Sequence, residues 1–333
     1  MKAVVIEQPG EALLAELEHP AVGADEILVR SHTAGICPTD LKILHGRMPD
    51  GTVRYPCIPG HEWSGTVLDG GDSVEGVSPG DRVVCEGMIP CGRCRRCSAG
   101  ETNLCENYDQ IGFTRPGGYA EVVAIPSRVV HRLPETVSFE AGALIEPASC
   151  ALSALERGAL TPGEVVAVIG AGTLGLMTIV LAQSLGARAV FAYGVRDAEL
   201  DAARRLGAEA LRPGERAEED VDLVVDTAGG VAALQAGLDL VRRGGRLVVV
   251  GTAGEGERLD LPADIFVRKH IEVIGSLSYT SGAWIRTMDL AEGLQLERFV
   301  AARLPLSDFA NGFGRVERPG DLVGRVLLQH AEQ

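Results

Sequence analysis

Between Glu164 and Ala187 the chain reads EVVAVIGAGTLGLMTIVLAQSLGA, and no other stretch restricts the fold so sharply. From Val165 to Ala187 it carries no charge, so it imitates a membrane span, which needs about 20 apolar residues. Glycines at 170, 172, 175 and 186 argue against that. The stretch parses as a strand buried on both faces, a tight turn, and a helix with a glycine stop. Gly170, Gly172 and Gly175 form a G-x-G-x-x-G pattern, with Thr173 and Leu174 opening the helix. Gly170 serves the turn, Gly172 lets a pyrophosphate approach, and Gly175 lets helix and strand pack. The free N–H groups of the helix start suit phosphate.

The rhythm continues downstream. RAVFAYG reads as a strand, DAELDAARRLGA as a helix and VDLVVDTAGG as a strand. A helix follows near Val231–Val241, then the strands GRLVVVGT and IEVIGSLSY. Strands alternating with helices predict right-handed crossovers and an α/β fold with a doubly wound parallel sheet. After Tyr279 the pattern weakens: GAWIRTMDLAEG reads as a helix. GRVLLQ, Gly324–Gln329, is a strand too remote to join the series, and is expected to return to the first half of the chain. That half differs in texture. AVVIE, EILVRSHTAG, EWSGTVLDG, DRVVCEG and YAEVVAI are short β-like runs broken by Gly and Pro, which predict a β-rich, partly barrel-like domain. The expected division is residues 1–148 with 284–333, and residues 149–283.

At 333 residues the chain has room for about two domains. Its net charge of −15 repels phosphate backbones, so nucleic acid is excluded as a partner. The apolar run of MKAVVIEQPG ends at Glu7, too early for a secretory signal. A cytoplasmic protein with no membrane partner is therefore expected. In that compartment thiols stay reduced, and clustered cysteines read as metal ligands before disulfides.

Four of the eight cysteines lie in CGRCRRCSAGETNLC: Cys91, Cys94, Cys97 and Cys105. Four thiolates around one ion make a closed structural zinc site. Iron–sulfur and disulfide readings stay open, but Glu106 rather than Pro follows the last cysteine. Arg93, Arg95 and Arg96 would soften the thiolate charge. A second, dispersed set comprises Cys37, Thr39 and Asp40 in GICPTD, His61 and Glu62 in PGHEWSG, and Glu146 in LIEPASC. A thiolate, an imidazole and a carboxylate together would bind zinc and leave one position for water or substrate.

The strand RAVFAYG ends at Gly194, where an NAD site usually carries Asp or Glu, and Arg196 follows two residues on. A missing carboxylate removes repulsion of a 2′-phosphate, and a guanidinium can pair with one. The strand end thus favours NADP(H), with NAD(H) the alternative if Arg196 merely starts a helix. Cys57, Cys85 and Cys150 read as small buried residues. Trp63 reads as core, or as facing the site.

Together these motifs resemble the zinc-dependent medium-chain alcohol dehydrogenases over nearly the whole chain. GICPTDLK looks like the first zinc-ligand segment, PGHEWSGTV the glycine–histidine–glutamate segment, Cys91–Cys105 the structural-zinc lobe, and VIGAGTLG the nucleotide fingerprint. IEPASCAL resembles the polyol and threonine dehydrogenase branch, where Glu replaces a Cys ligand. The resemblance implies a GroES-like catalytic domain beside a Rossmann domain, with the site in the cleft between them. It implies that Cys37, His61 and Glu146 hold catalytic zinc, and that Glu62 is an exchangeable or neighbouring ligand. Asp40 would orient the His61 ring, and Thr39 would begin a proton relay. Lys42 stands near the place where relatives carry a relay histidine, and His45 is offset. Zinc would lower the pKa of an alcohol, which passes hydride to the nicotinamide. The implied substrate is a secondary alcohol, polyol or cyclitol, or the matching ketone. A homodimer or homotetramer is implied too. A carbonyl or enone reductase of the same superfamily is the near alternative, and a non-enzymatic zinc- and NADPH-binding interaction protein the distant one.

Overall fold

The computed structural model describes residues 1–254, 256–262 and 264–330. The chain forms two compact units. One comprises Met1–Glu146, Thr280–Gly320 and Gly324–Gln333; the other comprises Pro147–Tyr279 and Asp321–Val323.

The second unit is a six-stranded parallel sheet. Its spatial order is Glu209–Leu211, Ala189–Tyr193, Val165–Ile169, Val221–Asp226, Val241–Val249 and Glu272–Gly275. The order runs outward in both directions from Val165–Ile169, which is the doubly wound Rossmann arrangement. Val165–Ile169 is buried at every position, which explains its unbroken apolar sequence. Phe191, Val224, Leu238 and Leu247 pack in the same core as Val165, Ala167 and Ile169. Each of these side chains larger than alanine stabilises the unit by about 1.5–3 kcal/mol relative to exposure. The uncharged run from Val165 divides into this strand and the Thr173–Ser184 helix. Among the described residues no helix is long and apolar enough to cross a membrane.

The first unit is built on a mixed seven-stranded sheet. Its path is Val300–Pro305, Arg325–Gln329, Glu26–Ile36, Glu62–Gly70, Arg82–Cys85 and Val130–Arg132, with Val122–Pro126 pairing to Glu26–Ile36 as well. Glu26–Ile36 is the organising strand, long enough to pair with Val122–Pro126 along its first half and with Arg325–Gln329 along its second. Arg325–Gln329 runs antiparallel to it, Val326 facing Ile36 and Gln329 facing Thr33. The Val300–Pro305 strand has no counterpart in the sequence reading. It is an edge strand, VAARLP, whose Arg303 pairs with Glu140 at 2.6 and 2.5 Å; it has no alternation of apolar and polar residues and is mostly half-buried or exposed, so no period announces it.

Candidate active site

The Glu26–Ile36 strand ends where the Pro38–Leu44 helix begins, and Cys37 caps that helix. Pro38 suits the first helical position, because its missing N–H has no partner to lose there. Asp40, fully buried in the first turn, accepts the Cys37 N–H through Oδ2 at 2.8 Å. Asp40 Oδ2 also accepts the Tyr119 hydroxyl at 2.8 Å, and that hydroxyl reaches the Gly35 carbonyl at 3.0 Å. Asp40 Oδ1 lies 3.5 Å from His61 Nδ1. His61 and Glu62 enter on the start of the neighbouring Glu62–Gly70 strand, beside Phe113, whose ring centroid is 5.3 Å from that of His61.

Ligand atoms of Cys37, His61 and Glu62 all lie within 4.8 Å of one another. Glu146, first in the Ile145–Arg157 helix after Ile145, is not in that convergent group, but its carboxyl feels the charges of His61, Glu62, Arg325 and Asp40. Thr39 is half-buried in the first turn of the Cys37 helix. His45 ends that helix and pairs with Glu317 at 3.0 Å.

Arg325 and Tyr119 belong to the site and escaped the sequence reading. Arg325 opens the last strand and brings Nε to 2.8 Å from Glu62 Oε2, with Nη1 donating to the Ile36 carbonyl at 3.2 Å. Both side chains of this ion pair are buried. Gly35 lies between them, and a Cβ there would collide with the Glu62 carboxylate. A charged residue heading the otherwise apolar RVLLQ was the available signal for Arg325.

The electrostatics follow from burial and crowding. Burial works against an imidazolium at His61, but Asp40 and the Cys37 sulfur override it and raise the ring's pKa well above its ordinary value. Burial raises Glu62, with Arg325 and His61 opposing. Burial also lifts Glu146 to about 7, with His61 opposing and Glu62 adding. Burial would lower Arg325, yet Glu62 holds it above the usual range. Three carboxyl groups and a thiol thus crowd one guanidinium. Glu62 Oε1, though buried, meets no hydrogen-bond donor among the described residues. Surplus acidic groups with an orphaned buried oxygen, beside a thiol and an imidazole, fit a divalent cation, which binds the deprotonated ligands.

Cys91, Cys94, Cys97 and Cys105 also converge within 4.8 Å. Cys94 Sγ lies 3.5 Å from that of Cys97 and 4.0 Å from that of Cys105. Four sulfurs about 2.3 Å from a central zinc would stand about 3.8 Å apart, whereas a disulfide needs about 2.05 Å. The N–H groups of Cys97 and Glu106 lower the Cys94 thiol to about 6, while burial pushes Cys97 up to about 12. The lobe is tied down through Thr102: its hydroxyl oxygen accepts the Ser281 N–H at 2.7 Å, and the Ser281 hydroxyl donates to buried Glu86 at 2.6 Å. Glu86 in turn meets His131 at 3.0 Å. Arg96 pairs with Glu101 at 2.7 Å.

In the parallel-sheet unit Gly170 adopts φ +91°, and a Cβ on Gly175 would strike the Gly170 carbonyl. Both positions therefore demand glycine. Gly172 caps the Thr173–Ser184 helix. Gly194 follows the Ala189–Tyr193 strand, and Arg196 caps the Asp197–Arg205 helix while bonding Glu199 at 2.6 Å and the Leu322 carbonyl at 3.0 Å. Trp63 is buried, with the Gly118 backbone against its ring. Cys57 and Cys85 are buried, but Cys150 keeps some surface, contrary to its reading as a buried filler.

The glycine-rich strand-to-helix turn lies in one unit, and both candidate metal groups lie in the other. Comparison with known proteins agrees. The pattern of the alcohol dehydrogenase GroES-like domain matches residues 23–135, and that of the zinc-binding dehydrogenases matches residues 173–293. The chain is 34% identical to sorbitol dehydrogenase of Bacillus subtilis over 84% of its length and 83% of the relative's. It is 31% identical to L-threonine 3-dehydrogenase of a Chelativorans species over 98% of each. A Sinorhizobium meliloti protein, assigned as a zinc-binding dehydrogenase and solved with NADP, superposes with a TM-score of 0.92 at 29% identity, covering 98% of each chain. The chain belongs to the zinc-dependent medium-chain alcohol dehydrogenase family. It is an oxidoreductase with a GroES-like and a Rossmann unit, acting on an alcohol with zinc and NAD(P).

Proposed function

We propose that the protein interconverts a secondary alcohol, polyol or cyclitol with its ketone, using NADP(H) in preference to NAD(H). The observation that carries this reading is the convergence of Cys37, His61 and Glu62 on one pocket, with Glu146 electrostatically coupled to it. Cys37, His61 and Glu146 hold the catalytic zinc, and Glu62, steadied by Arg325, is the neighbouring or exchangeable ligand. Zinc, when bound, is a Lewis acid that makes an alcohol proton easier to remove. Asp40 fixes the orientation of the His61 ring, and Tyr119 and the Cys37 N–H fix Asp40. Thr39 takes the substrate proton first. Cys91, Cys94, Cys97 and Cys105 hold a structural zinc.

Gly170, Gly172, Thr173, Leu174 and Gly175 receive the pyrophosphate, and Gly194 with Arg196 forms the ribose end. The missing carboxylate at Gly194 and the relative solved with NADP support the NADP(H) preference. Polyol chemistry draws support from the sorbitol dehydrogenase relative, and secondary-alcohol chemistry from the threonine 3-dehydrogenase relative. Homodimers or homotetramers form, a reading supported by the open edge at Glu272–Gly275, where Val273 and nearby Leu277 are exposed. The test is nicotinamide absorbance with zinc-replete protein, NADP and NAD in turn, and a panel of secondary alcohols, sugar alcohols, amino alcohols and cyclitols. Turnover with one class of polyol and faster reaction with NADP is expected. Turnover with primary alcohols alone, or a clear preference for NAD, overturns the corresponding half.

A further inference from the structure

Arg196 is not a lone cation awaiting a phosphate. Its Nη2 donates to Glu199 Oε1 at 2.6 Å, and its Nη1 to the Leu322 carbonyl at 3.0 Å. The Glu199 side chain is only 12% exposed, less than Arg196 at 29%. Its carboxylate faces the nucleotide fingerprint. A Cβ built on Gly172 would lie 3.8 Å from Glu199 Oε1, and one built on Gly194 would lie 3.7 Å from Oε2. One carboxylate therefore borders both the glycine where the pyrophosphate approaches and the strand end where the adenosine ribose sits in this fold. Glu199 stands in the first turn of the helix that follows this strand end.

We propose that Glu199 is the residue that discriminates between the two nicotinamide cofactors, accepting a ribose 2′-hydroxyl and opposing a 2′-phosphate. The inference rests on the reading of Gly170–Gly175 as the nucleotide site. The opposition has two parts. The paired Arg196 and Glu199 carry no net charge, so the guanidinium attracts a phosphate less than it would alone. A phosphate that draws Arg196 away leaves a bare carboxylate beside its own negative charge. Glu199 thus curbs the NADP(H) preference that Gly194 and Arg196 create, and keeps NAD(H) usable.

Calorimetric titration of the full chain with ADP and with 2′,5′-ADP separates these roles. Glu199→Gln keeps the shape and removes the charge; it is expected to tighten 2′,5′-ADP roughly ten-fold, with ADP unchanged or weaker. Glu199→Ala should likewise tighten 2′,5′-ADP and leave ADP unchanged or weaker, and Arg196→Gln should weaken 2′,5′-ADP. If both Glu199 variants leave 2′,5′-ADP binding unchanged or weaken it, Glu199 merely positions Arg196 and the inference fails, while the nucleotide site stands. If the wild-type chain binds neither ligand, the nucleotide-site reading fails and the inference falls with it.

Discussion

At the scale of single residues, the candidate zinc pocket depends on groups that never touch the ion. Tyr119 is fully buried, and its hydroxyl supplies one of two donors to Asp40 Oδ2. Tyr119→Phe leaves that oxygen short of a partner, at a cost of about 1–3 kcal/mol. A looser Asp40 orients His61 less well, so zinc affinity is expected to fall at least about ten-fold. Competition with a chelator, beside a thermal melt, reads both effects; unchanged zinc retention would remove Tyr119 from the account. His330 offers an independent test through pH. Burial holds its ring below the ordinary histidine value, although the Gly118 carbonyl and Glu121 oppose the shift. The native state therefore refuses a proton that the unfolded chain accepts, so stability falls as pH drops below about 6.5. Denaturant midpoints on either side of that pH should show the loss, and His330→Gln should flatten it.

At the scale of elements, the last strand links sequence ends to chemistry. Arg325–Gln329 pairs with Glu26–Ile36, and that pairing delivers Arg325 to Glu62. Arg325→Met leaves the Glu62 charge buried and uncompensated, which costs about 3–5 kcal/mol. Chemical denaturation should show that loss, and adding Glu62→Gln should recover part of it; no recovery would mean that packing, not charge, is what Arg325 supplies. These elements also mark where sequence reading succeeds. EWSGTVLDG coincides with the Glu62–Gly70 strand, and the buried VVAVI run is visible because both faces of a central parallel strand exclude polar residues. The Val300–Pro305 edge strand lacks that constraint and stays hidden. Arg325 and Tyr119 stay hidden because their partners lie 263 and 79 positions away in sequence, and only the tertiary fold unites them. Glu199 is hidden for another reason: in this fold the acidic residue is expected at the strand end, whereas the carboxylate that borders Gly194 is carried by the next helix.

At the scale of the whole molecule, local motifs made the fold class readable: glycines in one register, cysteines at short spacing, and an alternation of strands and helices. The dispersed ligand set was readable only as residue types. Its convergence depends on two adjacent strands, one carrying Cys37 at its end and the other Glu62 at its start, with His61 just before it. The proposed chemistry requires two zinc ions of unlike character in one chain, one closed by four thiolates and one open to substrate. Zinc content per chain, followed together with alcohol-dependent NADP reduction during mild chelation, tests it most directly. Two zinc ions are expected, one of which leaves first and takes turnover with it while the fold persists. A single zinc that resists chelation, or full turnover after the labile zinc has gone, would contradict it.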